Sequence, residues 1–246
     1  FSSVGTNTTA PPIWETASVS SYDIVKYRYS GELGPGDALF RKASKFQNLN
    51  HWIQENTGIF ETYNYVLVLD DDVPLKPEQI ELLFSQAKIN CAQVSSPSFD
   101  PHLGKVSPSL EIMATQKRPD SYFRRTDYVE VTAPLFNQKA LSRFMKVYTK
   151  YSNRLVGWGI DHLYRWVLFN RNHPFYIFDN VVTINPRDED KPLGPDGGRE
   201  IEKLQSTDNR RAAWYSVADE LKIPRHQAPQ TLDDRIPSFS RVISLP

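Results

Sequence analysis

Residues 65–72 read YVLVLDDD: Tyr65-Val66-Leu67-Val68-Leu69, then Asp70-Asp71-Asp72. The apolar run is too short for a helix, is rich in β-branched residues and does not alternate with polar ones. It fits a strand covered on both faces, as in the sheets of α/β proteins. Working outward, Tyr22–Tyr29 (YDIVKYRY) alternates like a strand. Ala38–Glu55 carries Phe40, Phe46, Leu49, Trp52 and Ile53 on a broad stripe and reads as a helix. Beyond the triplet, Pro77 is placed as the first residue of a helix whose Ile80, Leu83, Phe84 and Ala87 share one face. Ala92–Ser95 is expected to be a strand, residues 96–126 have no clear pattern, and Tyr128–Thr132 reads as another strand. Pro134 is expected to lead into a helix presenting Leu141, Phe144, Met145 and Tyr148. Gly157–Asp161 (GWGID) opens a further helix, Phe175–Ile184 reads as one or two strands, and the tail beyond Arg187 holds one helix, Glu200–Leu221. Strands alternating with helical patterns indicate an α/β fold with a mixed central sheet flanked by helices.

Composition narrows the function classes. The 246 residues suit one domain with a substantial core. Twenty-nine basic and 29 acidic residues leave no net field to draw the chain to nucleic acid or an anionic membrane. No apolar run approaches the roughly 20 residues of a membrane span. The single cysteine, Cys91, forms no internal disulfide, which favours a reducing compartment. A bacterial-type cytoplasmic location is therefore expected. The start at Phe1 without methionine also suits an excised domain, for which a Golgi lumen is the alternative.

Three consecutive carboxylates after a covered strand repel one another unless something cationic sits among them. A hard divalent cation, Mn²⁺ or Mg²⁺, suits the all-oxygen donors Asp70 and Asp72. Ligands of open α/β sheets gather at the carboxyl ends of the strands, where the triplet stands. The plain alternative is a solvated acidic turn before the Pro77 helix. In GWGID, Gly157 and Gly159 permit close backbone approach, Trp158 offers a flat face for a sugar ring, and Asp161 is placed to act as a general base. A tight turn, a core tryptophan and a capping aspartate would read the same way.

The strand ending in DDD, the segment VEVTAPLFNQKAL (Val129–Leu141) and GWGID, in that order, resemble a plant and bacterial glycosyltransferase-like family known as a domain of unknown function. More distantly they resemble the GT-A glycosyltransferases. The resemblance runs from about Tyr22 to Pro186. The family's acidic triplet falls on Asp70, Asp71 and Asp72, its lysine pair on Lys42 and Lys45, its E-x-x-A-P segment on Glu130, Ala133 and Pro134, and its tryptophan-glycine-aspartate motif on Trp158, Gly159 and Asp161. Where a histidine is expected in the late strand this chain has Asn185.

The resemblance implies one GT-A domain: a Rossmann-like nucleotide-sugar half over about 1–100, an acceptor half over about 101–190, and a helical or irregular tail over 191–246. It implies a metal-dependent transfer of sugar from a nucleotide-sugar donor to a hydroxyl of a saccharide or glycan. Asp70 and Asp72 would hold the metal, Asp70, Asp71, Lys42 and Lys45 would contact the phosphates or nucleotide, and Asp23 the nucleoside. Trp158, Gly159 and Glu130 would line the sugar or acceptor site, with Asp161 as base if configuration inverts. Two readings rival it. VLVLDDDV also fits the nucleophile loop of haloacid-dehalogenase-type phosphatases, although their glycine-rich sequel is missing. The Asn185 departure fits a sugar-binding GT-A relative without turnover. LGPDGG (Leu193–Gly198) is expected to act as a lid or as a plain connection.

Overall fold

A computed structural model describes residues 1–4, 14, 21–29, 37–105, 109–187, 189, 191 and 199–235. The chain is a mixed α/β protein in which one sheet is parallel and small, the other mixed and six-stranded. The parallel sheet contains β1 (Ser2–Val4), β2 (Lys26–Arg28), β3 (Asp37–Phe40) and β5 (Leu69–Asp70), in the order β3-β2-β1-β5. The mixed sheet has β4 (Tyr65–Leu67), β6 (Val94–Phe99), β7 (Phe123–Thr126), β8 (Leu135–Asn137), β9 (Phe175–Thr183) and β10 (Thr231–Arg235). Its order is β10-β7-β9-β6-β8-β4, with β6 and β9 parallel and the other pairs antiparallel.

The run Tyr65–Asp70 belongs to both sheets, and its side chains show why it is apolar throughout. Val66 and Val68 enter one core, with Phe136, Phe144 and Trp214, whereas Leu67 and Leu69 enter the other, with Leu75, Leu83 and Phe178. Strand side chains alternate between faces, so two buried faces require an unbroken apolar sequence. Burying each of these four side chains contributes about 1.5–3 kcal/mol.

Helices pack alongside. These are α1 (Lys45–Glu55), α2 (Ile59–Thr62), α3 (Pro77–Ile89), α4 (Leu110–Thr115), α5 (Gln138–Tyr151), α6 (Ile160–Leu168), α7 (Glu200–Leu204) and α8 (Thr207–Leu221). Pro77 opens α3 as expected, because its missing N–H is one the first turn cannot use. Several boundaries differ from the sequence reading. Residues 37–40 form β3, and α1 starts only at Lys45, where Gln47 Oε1 accepts from the Ser44 N–H in a capping arrangement. Only Lys26–Arg28 of Tyr22–Tyr29 pairs as a strand. Residues 128–130 belong to no strand and 131–132 form a turn beside the triplet strand, where Asp70 N donates to Thr132 O and Val68 N to Pro134 O. The strand lies after Pro134, at β8, and ends where the Asn137 side chain accepts from Ala140 N to cap α5.

β6 runs to Phe99, past the expected Ser95, and β7 lies inside the stretch that had no clear pattern. The expected helix Glu200–Leu221 is two, broken at Gln205–Ser206, where the Ser206 hydroxyl caps α8. This C-terminal portion is structural: Trp214, Val217, Ala218 and Ile223 are buried in the larger core, and β10 pairs with β7. No described helix is long and apolar enough to cross a membrane. Leu193–Gly198 lies outside the described residues.

Candidate functional site

The parallel order β3-β2-β1-β5 reverses direction at β1, and Ser3 of β1 is in register with Asp70 of β5. Asp70 therefore stands at the carboxyl end of the sheet beside its switch point, the place where open α/β sheets bind ligands. The elements around it converge on the triplet. Lys45, the first residue of α1, places Nζ 2.7 Å from Asp70 Oδ1, and donates to Val131 O at 2.8 Å and Thr132 O at 3.0 Å. This ammonium ties α1, β5 and the turn after Glu130 together. Tyr29, just past β2, donates to Asp71 Oδ2 at 3.3 Å. Lys191 Nζ pairs with Asp72 Oδ2 at 3.3 Å.

Cations do not saturate the carboxylates. Asp72 Oδ1 is buried without a hydrogen-bond partner. The Asp72 pKa is pushed up, first by burial and then by Asp70, against the pull of Lys191 and Lys45. Glu130 is half-buried beside the same cluster, and its pKa is raised to about 7 by desolvation, then by Asp161 and Asp70, while Lys191 and Lys105 oppose. Asn185 is buried, with Nδ2 donating to Glu130 Oε2 at 3.4 Å and Oδ1 left without a partner. The unpartnered oxygens of Asp72 and Asn185 are hard donors of the kind a divalent cation such as Mn²⁺ or Mg²⁺ takes.

Asp161 is the second residue of α6. Its Oδ2 accepts a 2.5 Å bond from Tyr128 Oη and its Oδ1 accepts from the His162 N–H at 2.9 Å. Burial, reinforced by Asp161 and Glu130, keeps the Tyr128 phenol protonated well above its ordinary range, so Tyr128 is the donor. The capping position of α6 belongs not to Asp161 but to Gly159, in the left-handed region at φ 84°. A Cβ there would lie 2.3 Å from Trp214 Cδ2, so only glycine fits against the indole. Trp158 is exposed, and Arg211 stacks on its ring at 5.0 Å.

The sequence-predicted residues thus divide. Asp70, Asp71, Asp72, Lys45, Glu130 and Asp161 form one cluster. Lys42 is exposed on the turn before α1 and not on a helix. Asp23 is elsewhere: it accepts from Tyr63 Oη at 2.6 Å, just before β4 begins. The run from Tyr63 to Asp70 spans roughly 20 Å. Asp23 borders instead a cavity of about 890 Å³ that includes Trp52, Tyr65 and Phe84. Tyr128, Lys105, Lys191 and Tyr29 join the site without having been singled out. Tyr128 adjoins the E-x-x-A-P segment, the one signal that could have marked it.

Glu130 gives a pH prediction. The unfolded carboxyl titrates near its ordinary 4.5 and the folded one at about 7. Raised acid pKa means the folded state favours the protonated form, so stability is greatest below 4.5 and falls as pH rises through about 7, by about 3 kcal/mol in all. Glu130→Gln retains the acceptor for Asn185 and lacks the titration. Its melting temperature relative to wild type is expected to climb between pH 5 and pH 8 in chelator; a constant difference would refute the shift.

No protein-family model matches the chain, and no curated protein matches it.

Proposed function

We propose that the chain is a metal-dependent glycosyltransferase with a GT-A fold, moving a sugar from a nucleotide-sugar donor to a hydroxyl of a saccharide or glycan. The observation that carries the reading is the acidic triplet beside the switch point of a parallel β3-β2-β1-β5 sheet, with one Asp72 oxygen buried and unpartnered. Nucleotides bind at such points in doubly wound sheets. Asp70, Asp72 and the Asn185 side-chain oxygen would hold Mn²⁺ or Mg²⁺, which when bound supplies positive charge to the leaving diphosphate. Lys45 fixes the Asp70 carboxylate through its 2.7 Å ion pair. Lys191, on Asp72, offers a second positive charge for the diphosphate. Asp161 accepts the proton of the acceptor hydroxyl, its carboxylate oriented by Tyr128 and the His162 N–H. Glu130, protonated below about 7, is a hydrogen-bond donor for a sugar oxygen, and Trp158 offers an edge for the acceptor.

The test is calorimetric. A nucleoside diphosphate with manganese is expected to bind and to raise the melting temperature, and Asp72→Ala is expected to remove both effects. Equal nucleotide affinity in manganese and in chelator would sink the metal-bridged reading. Steady phosphate release from simple phosphomonoesters, abolished by Asp70→Asn, would replace it with the phosphatase reading.

A further inference from the structure

We infer that Glu111, His162 and His226 form a second cation site, of zinc type, separate from the acidic triplet. The three ligand atoms lie within 4.8 Å of one another although they come from α4, α6 and the segment after α8. His162 Nε2 and Glu111 Oε1 are 3.9 Å apart. Ligand atoms around one tetrahedral zinc lie roughly 3.3 Å from each other. Closing the difference asks for up to about 1.5 Å of side-chain movement, a small adjustment for the half-buried Glu111 and the surface imidazole of His226. Two imidazoles and a carboxylate are a borderline donor set that suits zinc, with a further position open to water.

The surroundings hold these ligands in place. His162 is buried and stacks on Trp214 with ring centroids 5.6 Å apart and planes 17° from parallel. His226 sits between two tethered neighbours: the Arg225 carbonyl accepts from Trp214 Nε1 at 2.8 Å, and the Gln227 carbonyl accepts from Arg165. Its ring is oriented by Tyr215 Oη, 2.6 Å from Nε2. A cavity of about 190 Å³ borders His162 between α6 and residues 223–227, so an ion can reach the buried imidazole. Zinc there clamps the segment after α8 onto the helix that carries Asp161. None of this depends on the proposed transferase activity.

The experiment is a zinc titration of the full chain stripped with chelator, by calorimetry and thermal melting, without nucleotide. One equivalent of zinc is expected to bind and to raise the melting temperature, with manganese far weaker at this site because affinity rises from manganese to zinc for the same donors. His226→Ala, an exposed change, is expected to lower zinc affinity at least tenfold while the metal-free melting temperature stays put. Glu111→Gln is expected to do the same and decides the matter if His226→Ala fails to fold. Asp72→Ala is expected to keep the zinc equivalent. No saturable zinc binding, wild-type affinity in the His226 and Glu111 variants, or loss of the zinc equivalent in Asp72→Ala would each overturn the assignment.

Discussion

Gly159→Ala is expected to lower the melting temperature by roughly 5–15 °C, since a chain of this length loses about 2–4 °C per kcal/mol. Two effects act together. The backbone at φ 84° is left-handed, which costs a residue with a Cβ about 1–2 kcal/mol. The new Cβ would also lie 2.3, 2.4 and 2.6 Å from three ring atoms of Trp214. Trp214 is fully buried, stacked on His162 and bonded to the Arg225 carbonyl, so it cannot swing aside. Overpacking of this kind costs about 1–3 kcal/mol more. Gly157→Ala is the control. Its Cβ would press only on the end of the Ile201 side chain, Cδ1 at 3.1 Å, and make ordinary contact with Arg210 Cδ at 3.5 Å. Equal melting temperatures for the two variants would remove the steric argument.

The two glycines of GWGID were legible as a close approach, but what they approach was not. Trp214 comes from α8, far along the chain, and no local pattern announces that meeting. The same limit explains β7. Its sequence FRRT places Arg124 in the core, where it is satisfied by Asp179 of β9 through bonds of 3.0 and 3.2 Å and by the carbonyls of Ala114 and Gln116. A buried arginine reads as surface until its partner is known. By contrast, YVLVL was legible because both faces of one strand demand apolar residues, and α3 because Pro77 and its apolar stripe agree. The start of α1 is legible in the sequence, since Ser44 with Gln47 three residues on is a capping signature, although the apolar run Ala38–Phe40 extends the helical pattern further back.

The cluster around the triplet follows the same division. Asp70 to Asp72 were marked by their own adjacency and by the strand before them. Lys45 is marked in the sequence only by the resemblance, since its bond to Asp70 joins residues that are distant in sequence. Asp23 precedes β2, which begins only at Lys26, and its carboxylate meets Tyr63, well before the triplet along the β4–β5 run. Asn185, which stands where the resemblance expects a histidine, donates its Nδ2 to Glu130 and leaves its Oδ1 buried without a partner.

Asp161→Asn is expected to slow sugar transfer by roughly 10²–10⁴-fold, the range for loss of a general base. The substitution is nearly isosteric. The amide oxygen can still accept from the His162 N–H, and the amide N–H can donate to the Tyr128 oxygen in place of the bond now running the other way. Helix capping is not at stake, because Gly159 holds that position. What the variant loses structurally is a negative charge in the first turn of α6, a term of about 0.3–1 kcal/mol. A residue that serves only the fold would therefore cost little in melting temperature and nothing specific in rate. Donor affinity in manganese should be retained, since in the proposed function Asp70 and Asp72, not Asp161, would hold the metal and the diphosphate. The measurement sets transfer rate beside donor affinity and melting temperature for wild type and variant. If the variant stays folded, binds donor and transfers sugar within a few-fold of wild type, Asp161 is not the base.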